Sequence, residues 1–324
     1  MPVRGSDAVV AVYDETAYAT APVSPSGRRL YFTELNLQPQ RENVIDPTMS
    51  SDRNRSKPGE GNLDISGTIG AVVAPEMGGW YLKHILGVPV TTGASSPYTH
   101  TYRPKSLPVG FIVEEDWSSV ITSKVHQFLG CRCTQATINV PQSGFATFGL
   151  SVGGSKFVIA ATPLDATLTD TGQTGWTAAN ATVKINGTAS CLVKSATISI
   201  NNNMQTDRYT LCGGTRYDMP EEFVDVTGEI TALFDVATHA LIDAAIARTD
   251  TNVEIIFEHG TGAGTAGNEQ LSIKLDHALV ALNSPPITSP GGMEVTFSLA
   301  AFKSGGTDKG LVVVLKNAVA AADL

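Results

Sequence analysis

The chain has 324 residues, of which 42% are apolar and 16% charged, and a formal net charge of −9 at neutral pH. That length can bury a substantial core, and 31 glycines and 17 prolines between short alternating apolar runs favour strands and turns over long helices. No run reaches the roughly 18 apolar residues of a membrane-spanning helix, no basic stripe of the nucleic-acid-binding kind occurs, and Met1–Asp7 lacks an apolar signal core. A soluble protein made in the cytoplasm is the expectation.

Residues 1–29, including AVYDETAYATAPVSPSGR, show neither helical nor strand period and are expected as an extended arm lying on a neighbour. A first module is expected over 30–157. It opens with a strand at Leu35–Gln38, followed by the polar, mixed-charge stretch QPQRENVIDPTMSSDRNRSKPGEG at 38–61, which is too poor in apolar residues to fold by itself. The strand in LDISGTIG comes next. A helix is predicted over 75–86, because Met77, Trp80, Tyr81, His84 and Ile85 recur at three- and four-residue steps between Pro75 and Gly87. An insertion, GVPVTTGASSPYTHTYRPKSLP, precedes a strand at Val109–Glu114, a hairpin tip at DWSSVITSKVHQ, and strands at Ala136–Val140 and 146–152.

A strap over 158–190 carries one alternating stretch, Ala181–Ile185, that predicts an accessory strand. A second module is expected over 191–317, and a short tail over 318–324. Its elements repeat those of the first: Ile198–Asn201 matches Leu35–Gln38, VDVTGEI matches LDISGTI with Asp225 on Asp64, and Ala237, Leu241, Ala244 and Ala245 mark a second helix. Val253–Glu258, Ala278–Leu282 and VTFSLAA at 295–301 complete the order, placing Phe148 on Phe297 and Leu150 on Leu299. Five matches in one order read as a duplicated module. The predicted fold is therefore mainly β, with two tandem β-sandwich or barrel modules, each flanked by one helix.

The loops carry the candidate contacts. The first, at 38–61, offers Arg41, Glu42, Asp46, Asp52, Arg53, Arg55 and Lys57; its counterpart at 201–222 offers Asp207, Arg208, Arg216, Asp218, Glu221 and Glu222. Two long polar loops at the same place in a repeat point to docking on a partner. Charge is uneven, balanced over 30–157 and with roughly seven excess acids over 190–317. Chemistry finds no foothold: there is no G-x-S-x-G or H-E-x-x-H, the six histidines are scattered, and Cys131, Cys133, Cys191 and Cys212 lack metal-ligand spacing. The cysteines read as free thiols in a reducing compartment, and neither cofactor nor metal is expected. The Gly-rich HGTGAGTAGNEQ lacks the Lys-Ser/Thr ending of a phosphate loop and reads as a hairpin tip.

ETAYATAP near the N-terminus, the long polar loop, GNLDISGTI and the helix GGWYLKHILG together resemble the tail tube proteins (major tail proteins) of phages with long, non-contractile tails; Ala19 stands where that family usually has Gly. The resemblance implies a β-sandwich with a flanking helix that assembles into stacked rings, a hollow tube through which DNA is ejected without sequence-specific binding. It implies a virion protein of the tail, with itself as main partner and with tape-measure and tail-tip or terminator proteins as others. Family members with one tube domain close six-subunit rings, so a two-domain chain is expected to close a ring as a trimer with pseudo-sixfold symmetry. The loops at 38–61 and 201–222 are then expected to dock on adjacent rings, and an acidic bore to repel DNA phosphates. Two other readings fit the composition: a tail-end hub or terminator ring of the same fold, and a β-rich glycan-binding adhesin using Tyr98, Tyr102 and Trp117.

Overall fold

Val10 and Val12 point into one apolar cluster while Ala11 and Tyr13 point into another, so the strand that carries them is covered on both faces. It is the first of the strands in the computed structural model, which describes residues 4–49, 53–211, 213–287, 291–305 and 310–321. The first part of the chain forms β1 (Val9–Asp14), β2 (Arg28–Arg29), β3 (Glu34–Val44), β4 (Gly59–Val72), α1 (Pro75–Leu86), β5 (Val90–Thr92), β6 (Tyr98–Tyr102), β7 (Phe111–Asp116), β8 (Val125–Val140), β9 (Thr147–Gly154) and β10 (Lys156–Ala160). The second forms β11 (Ala181–Ile185), β12 (Thr188–Ala189), β13 (Val193–Asn201), β14 (Asp225–Leu233), α2 (Val236–Ala247), β15 (Thr251–Glu258), β16 (Gln270–Val280), β17 (Glu294–Ala301) and β18 (Leu311–Asn317).

All these strands pair antiparallel, and the same pairing order occurs twice. In the first half β8 is shared: its start pairs with β7 and β10, its end with β9, and β9 leads on to β4 and β3. In the second half β16 is shared in the same way, pairing with β15, β18 and β17, and β17 leads on to β14 and β13. Even the outermost strands recur, since β1 pairs with β2 and β7 as β11 pairs with β12 and β15. The segment expected as an arm on a neighbour is thus, over 9–14, a strand of its own half. The strap likewise supplies β11 and buries Trp176.

Two further expectations change. The polar stretch at 38–61 is ladder at both its ends: β3 runs to Val44 and β4 starts at Gly59, because backbone bonds, with the Arg41–Glu60 ion pair across them, hold the hairpin stem without apolar residues. The repeated Asp-x-x-Gly strand is also out of step with its neighbours. Leu150 lies opposite Ile69, whereas Leu299 lies opposite Gly228, two residues before Ile230. β13 is displaced on β14 in the same sense, with Ile198 opposite Gly228 where Leu35 lies opposite Ile69. A slip of two keeps every side chain on its face, which is why the apolar pattern survives it.

The halves are joined by strands. The end of β8 pairs with β13 from Gln135–Asn201 to Val140–Ala196, and β6, from the first-half insertion, pairs with β18. Ile138, Ile198 and Ile200 are buried at the first junction, and exposing them would cost about 5–9 kcal/mol at roughly 1.5–3 per side chain. That rivals the whole stability of a typical domain, so the halves are expected to unfold together.

Candidate assembly surfaces

The joined sheet runs β3-β4-β9-β8-β13-β14-β17-β16. One face is core. On the other, cross-strand rows are made of small polar groups, such as Gly149–Thr137–Ser199–Thr227–Ala300 and Thr147–Asn139–Thr197–Glu229–Ser298. Next to them comes Thr68–Ser151–Gln135–Asn201–Asp225. Followed onto β4 and β3 the first row continues through Gly70 to Glu34, so the charges in these rows are all acidic, Asp225 and Glu229 from the second half and Glu34 from the first. Strand alternation accounts for the face: hydroxyls and amides tolerate an exposed pleat while Ile, Leu and Phe fill the buried one.

The two ends of this sheet are open. β3 pairs with β4 alone among the described strands. At the other end the pairing of β15 with β16 stops at Ala278, while β16 continues along β17 with Val280 opposite Leu299 and Ala281 N–H donating to Ser298 O at 2.8 Å. That course brings Leu282 beside Phe297, the place that Ile138 holds opposite Phe148 in the first half. Ile138 is covered by Ile198, but Leu282 is 67% exposed.

The helices differ in the same way. α1 begins with Pro75 at its first turn and ends at Gly87, φ 98°. It is buried against β8, β6 and β18, where Tyr102 Oη donates to Gly79 O at 3.0 Å and Asn317 Nδ2 to Pro75 O at 2.8 Å. α2 is capped by Asp235, whose carboxylate accepts from Ala237 N at 2.6 Å while Thr238 Oγ1 accepts from Asp235 N at 2.8 Å. It packs on β16 with Leu241 and Thr238 buried and its outer side bare.

The expected contact residues divide sharply. In the first hairpin Arg41 pairs with Glu60, Asp46 accepts from Thr48 N and Oγ1 at 2.9 and 2.6 Å, and Glu42, Arg53, Arg55 and Lys57 are exposed; Asp52 lies outside the described residues. Val44, Ile45 and Met49 are exposed beside them. The second loop instead lies on the first half of its own chain. Arg216 is buried, donating to Thr206 O at 2.6 Å, Ile65 O at 3.0 Å, Gly154 O at 2.7 Å and the Asp64 carboxylate, with its guanidinium over the Tyr209 ring. Glu221 accepts from Arg132 at 2.7 Å and Leu107 N at 3.0 Å; burial opposes its charge, but these donors outweigh it and hold its pKa below the usual value. Met219 is buried, and Arg132 also reaches its carbonyl. Asp207 and Glu222 stay exposed, Glu222 accepting from Gln205 at 2.6 Å, and Arg208 pairs with Asp218 at 2.8 Å. Arg216 and Glu221 are therefore spent inside the chain. Arg132 was not singled out in the sequence, though an Arg between two cysteines on an apolar strand is a signal of a buried partner.

The N-terminal motif and the α1 motif meet. Asp14 accepts from Trp80 Nε1 at 3.1 Å and from His84 Nε2 at 2.8 Å, and pairs with Lys83. Burial works against its charge, yet His84 and Lys83 hold Asp14 well below the ordinary carboxylate range, while burial pushes the His84 pKa down. Glu15 accepts from Gly130 N at 2.8 Å and Ala19 N at 3.0 Å; burial raises its pKa to about 7. Ala19 has φ 51°, the left-handed region that explains a glycine preference there. Tyr102 is fully buried, so it forms no exposed aromatic platform with Tyr98 and Trp117. Cys131 and Cys133 are buried thiols whose pKa burial raises, that of Cys133 to about 12.

A strand-built protein whose open features are sheet edges, a polar face and a bare helix belongs with structural building blocks. The model of the phage tail tube protein family matches residues 5–301, and the chain belongs to that family. It is a structural component of the phage tail. No curated protein matches the chain. No helix among the described residues is long and apolar enough to cross a membrane.

Proposed function

We propose that the chain is the repeating subunit of a tail tube ring and that it closes the ring as a trimer, each copy filling two of six positions. The observation that carries this is the β8–β13 pairing. It joins two four-stranded units, β3-β4-β9-β8 and β13-β14-β17-β16, end to end, and leaves β3 and the end of β16 as the matching free edges. Repeating the same join between copies gives a head-to-tail interface, which closes into a ring when the rotation allows. The template sets its register: Ile198 lies opposite Ile138 within the chain, so Leu35 of one copy lies opposite Leu282 of the next, and Asn36 opposite Ala281. The exposed Leu282 is then covered.

The polar rows become the bore wall in this arrangement. Hydroxyls and amides with Asp225 and Glu229 offer DNA phosphates no cation to condense on, so duplex passes without being held or read. The assignment revises an acidic wall into a mostly neutral one with carboxylates from both halves, Glu34 from the first and Asp225 and Glu229 from the second. Stacking falls to the β3–β4 hairpin, whose exposed Ile45, Met49, Arg53, Arg55 and Lys57 project toward the next ring; of the second loop, Asp207 and Glu222 remain exposed for that role. Tape-measure and tail-tip or terminator proteins are the further partners this role requires.

The test is a cysteine pair, Asn36→Cys with Ala281→Cys, in a background with Cys191 and Cys212 changed to Ser. Oxidation of assembled protein is expected to give covalent trimers, seen with threefold rings by electron microscopy. Monomers, intrachain bonds or rings of another copy number overturn the reading. A single ring that never stacks points to the hub or terminator role.

A further inference from the structure

We infer that the bare side of α2 is the seat of a second copy of this chain, which lays the open edge of its β10 along the helix. The inference rests on the ring reading above and adds a second, outer contact to it. Both helices have twelve residues and follow strands that end at Val72 and Leu233, so they can be compared position by position. Pro75, Gly79, Ile85 and Leu86 of α1 are all buried. Their counterparts on α2 are Val236, Ala240, Ile246 and Ala247, all exposed, Val236 at 90% and Ile246 at 67%.

What covers α1 is known from the chain itself. β18, from the other half, lies over it with β6, and Asn317 and Tyr102 reach the carbonyls of Pro75 and Gly79. The first-half strand equivalent to β18 is β10: each follows the strand after the shared one and pairs with the start of that shared strand, β10 with β8 and β18 with β16. β18 is paired on both edges, whereas β10 has β8 alone among the described strands and exposes Val158 at 43% and Ile159 at 52%. An apolar edge strand left open is a liability unless a partner covers it. The join that brings β3 of the next copy to β16 also brings β10 of that copy to α2, because within the chain β13 and β18 approach β8 and α1 together.

The composition of α2 fits this occupant. A helix apolar on nearly all sides, VATHALIDAAIA, belongs in an interior. The polar members of its outer arc are His239 and Asp243, which pair with each other at 3.2 Å. The second half lacks the β5–β6 insertion that intervenes over α1, and the small side chains of Ala237, Ala240 and Ala247 let a strand approach directly.

Two measurements test this. Ala240→Glu with Ile246→Glu changes exposed positions, so the monomer should keep its melting temperature while the concentration needed for ring formation rises at least ~10-fold. Assembly at the wild-type concentration overturns the inference. In the cysteine background used above, mixing Ala240→Cys chains with Val158→Cys chains and a short bismaleimide should link two different chains. If the Asn36–Ala281 link forms and the Ala240–Val158 link does not, the α2 contact is wrong and the ring stands. If neither forms, both readings fall.

Discussion

Ile138 on β8 lies directly opposite Ile198 on β13, and both are buried, so the two halves of the chain meet as neighbouring strands of one sheet. The junction is a template for contacts between copies, and it is also a fold element. Ile198→Ala is expected to cost about 3 kcal/mol, within the roughly 2–5 kcal/mol seen for such truncations. Urea unfolding monitored by tryptophan fluorescence and by circular dichroism should give one coincident transition in both proteins. A plateau in which one half persists would show that the halves fold separately.

Arg216 ties the second loop to the first half through the backbone carbonyls of Ile65 and Gly154 and the Asp64 carboxylate, and it also holds the loop's own Thr206 carbonyl. Arg216→Met keeps much of the side-chain volume and leaves those buried carbonyls unpaired, at an expected cost of about 2–4 kcal/mol. Asp64→Asn should cost about 1 kcal/mol or less, because the Asp64 side chain is 43% exposed and water replaces the lost charge. Equal losses in the two variants, measured by denaturant midpoint, would contradict a strut that works chiefly through carbonyls.

Gly130 sits where β8 turns from one set of partners to the other, with φ 68°. A Cβ there would lie 2.9 Å from Ser155 Cβ and 3.0 Å from Ala19 Cβ, and Gly130 N–H is the donor to Glu15. Gly130→Ala combines left-handed strain with overpacking and should destabilise by about 2–4 kcal/mol. A melting temperature within a degree of wild type would refute the account of this turn.

Elements with a strong local period were legible in the sequence. Pro75 and Gly87 bracket α1, and the alternation in Ala181–Ile185 marks β11, because both signals are made by residues close in the chain. What the sequence hid depends on pairings at long range. The slip of two residues between β14 and its neighbours leaves the apolar pattern intact, so aligned motifs cannot reveal it. Arg216 looks like any loop arginine until the carbonyls of Ile65 and Gly154 are brought beneath it by the other half. The polar stretch 38–44 reads as loop on composition, yet a hairpin ladder needs backbone partners more than apolar side chains. The bare side of α2 was likewise invisible, since its sequence resembles that of a buried helix.

Glu15 gives a pH signature. Its folded pKa is raised from 4.5 to about 7 by burial, against the pull of the Gly130 and Ala19 N–H groups and Lys156. Below about pH 4.5 the carboxyl is protonated in both states and its contribution is fully present. Between about 4.5 and 7 the unfolded chain releases the proton while the folded chain keeps it, so stability falls as pH rises, by about 3 kcal/mol in all. Above 7 that loss is complete. Glu15→Gln is neutral throughout and should remove this fall, so the gap between wild type and variant changes across pH 4.5–7 and is flat above it. His84 and His100 run the other way, since burial lowers their pKa values and their contributions grow as pH rises; both are present in each protein and cancel in the difference. Denaturant unfolding at pH 5, 6, 7 and 8 decides the matter: parallel curves for the two proteins would place the titration elsewhere.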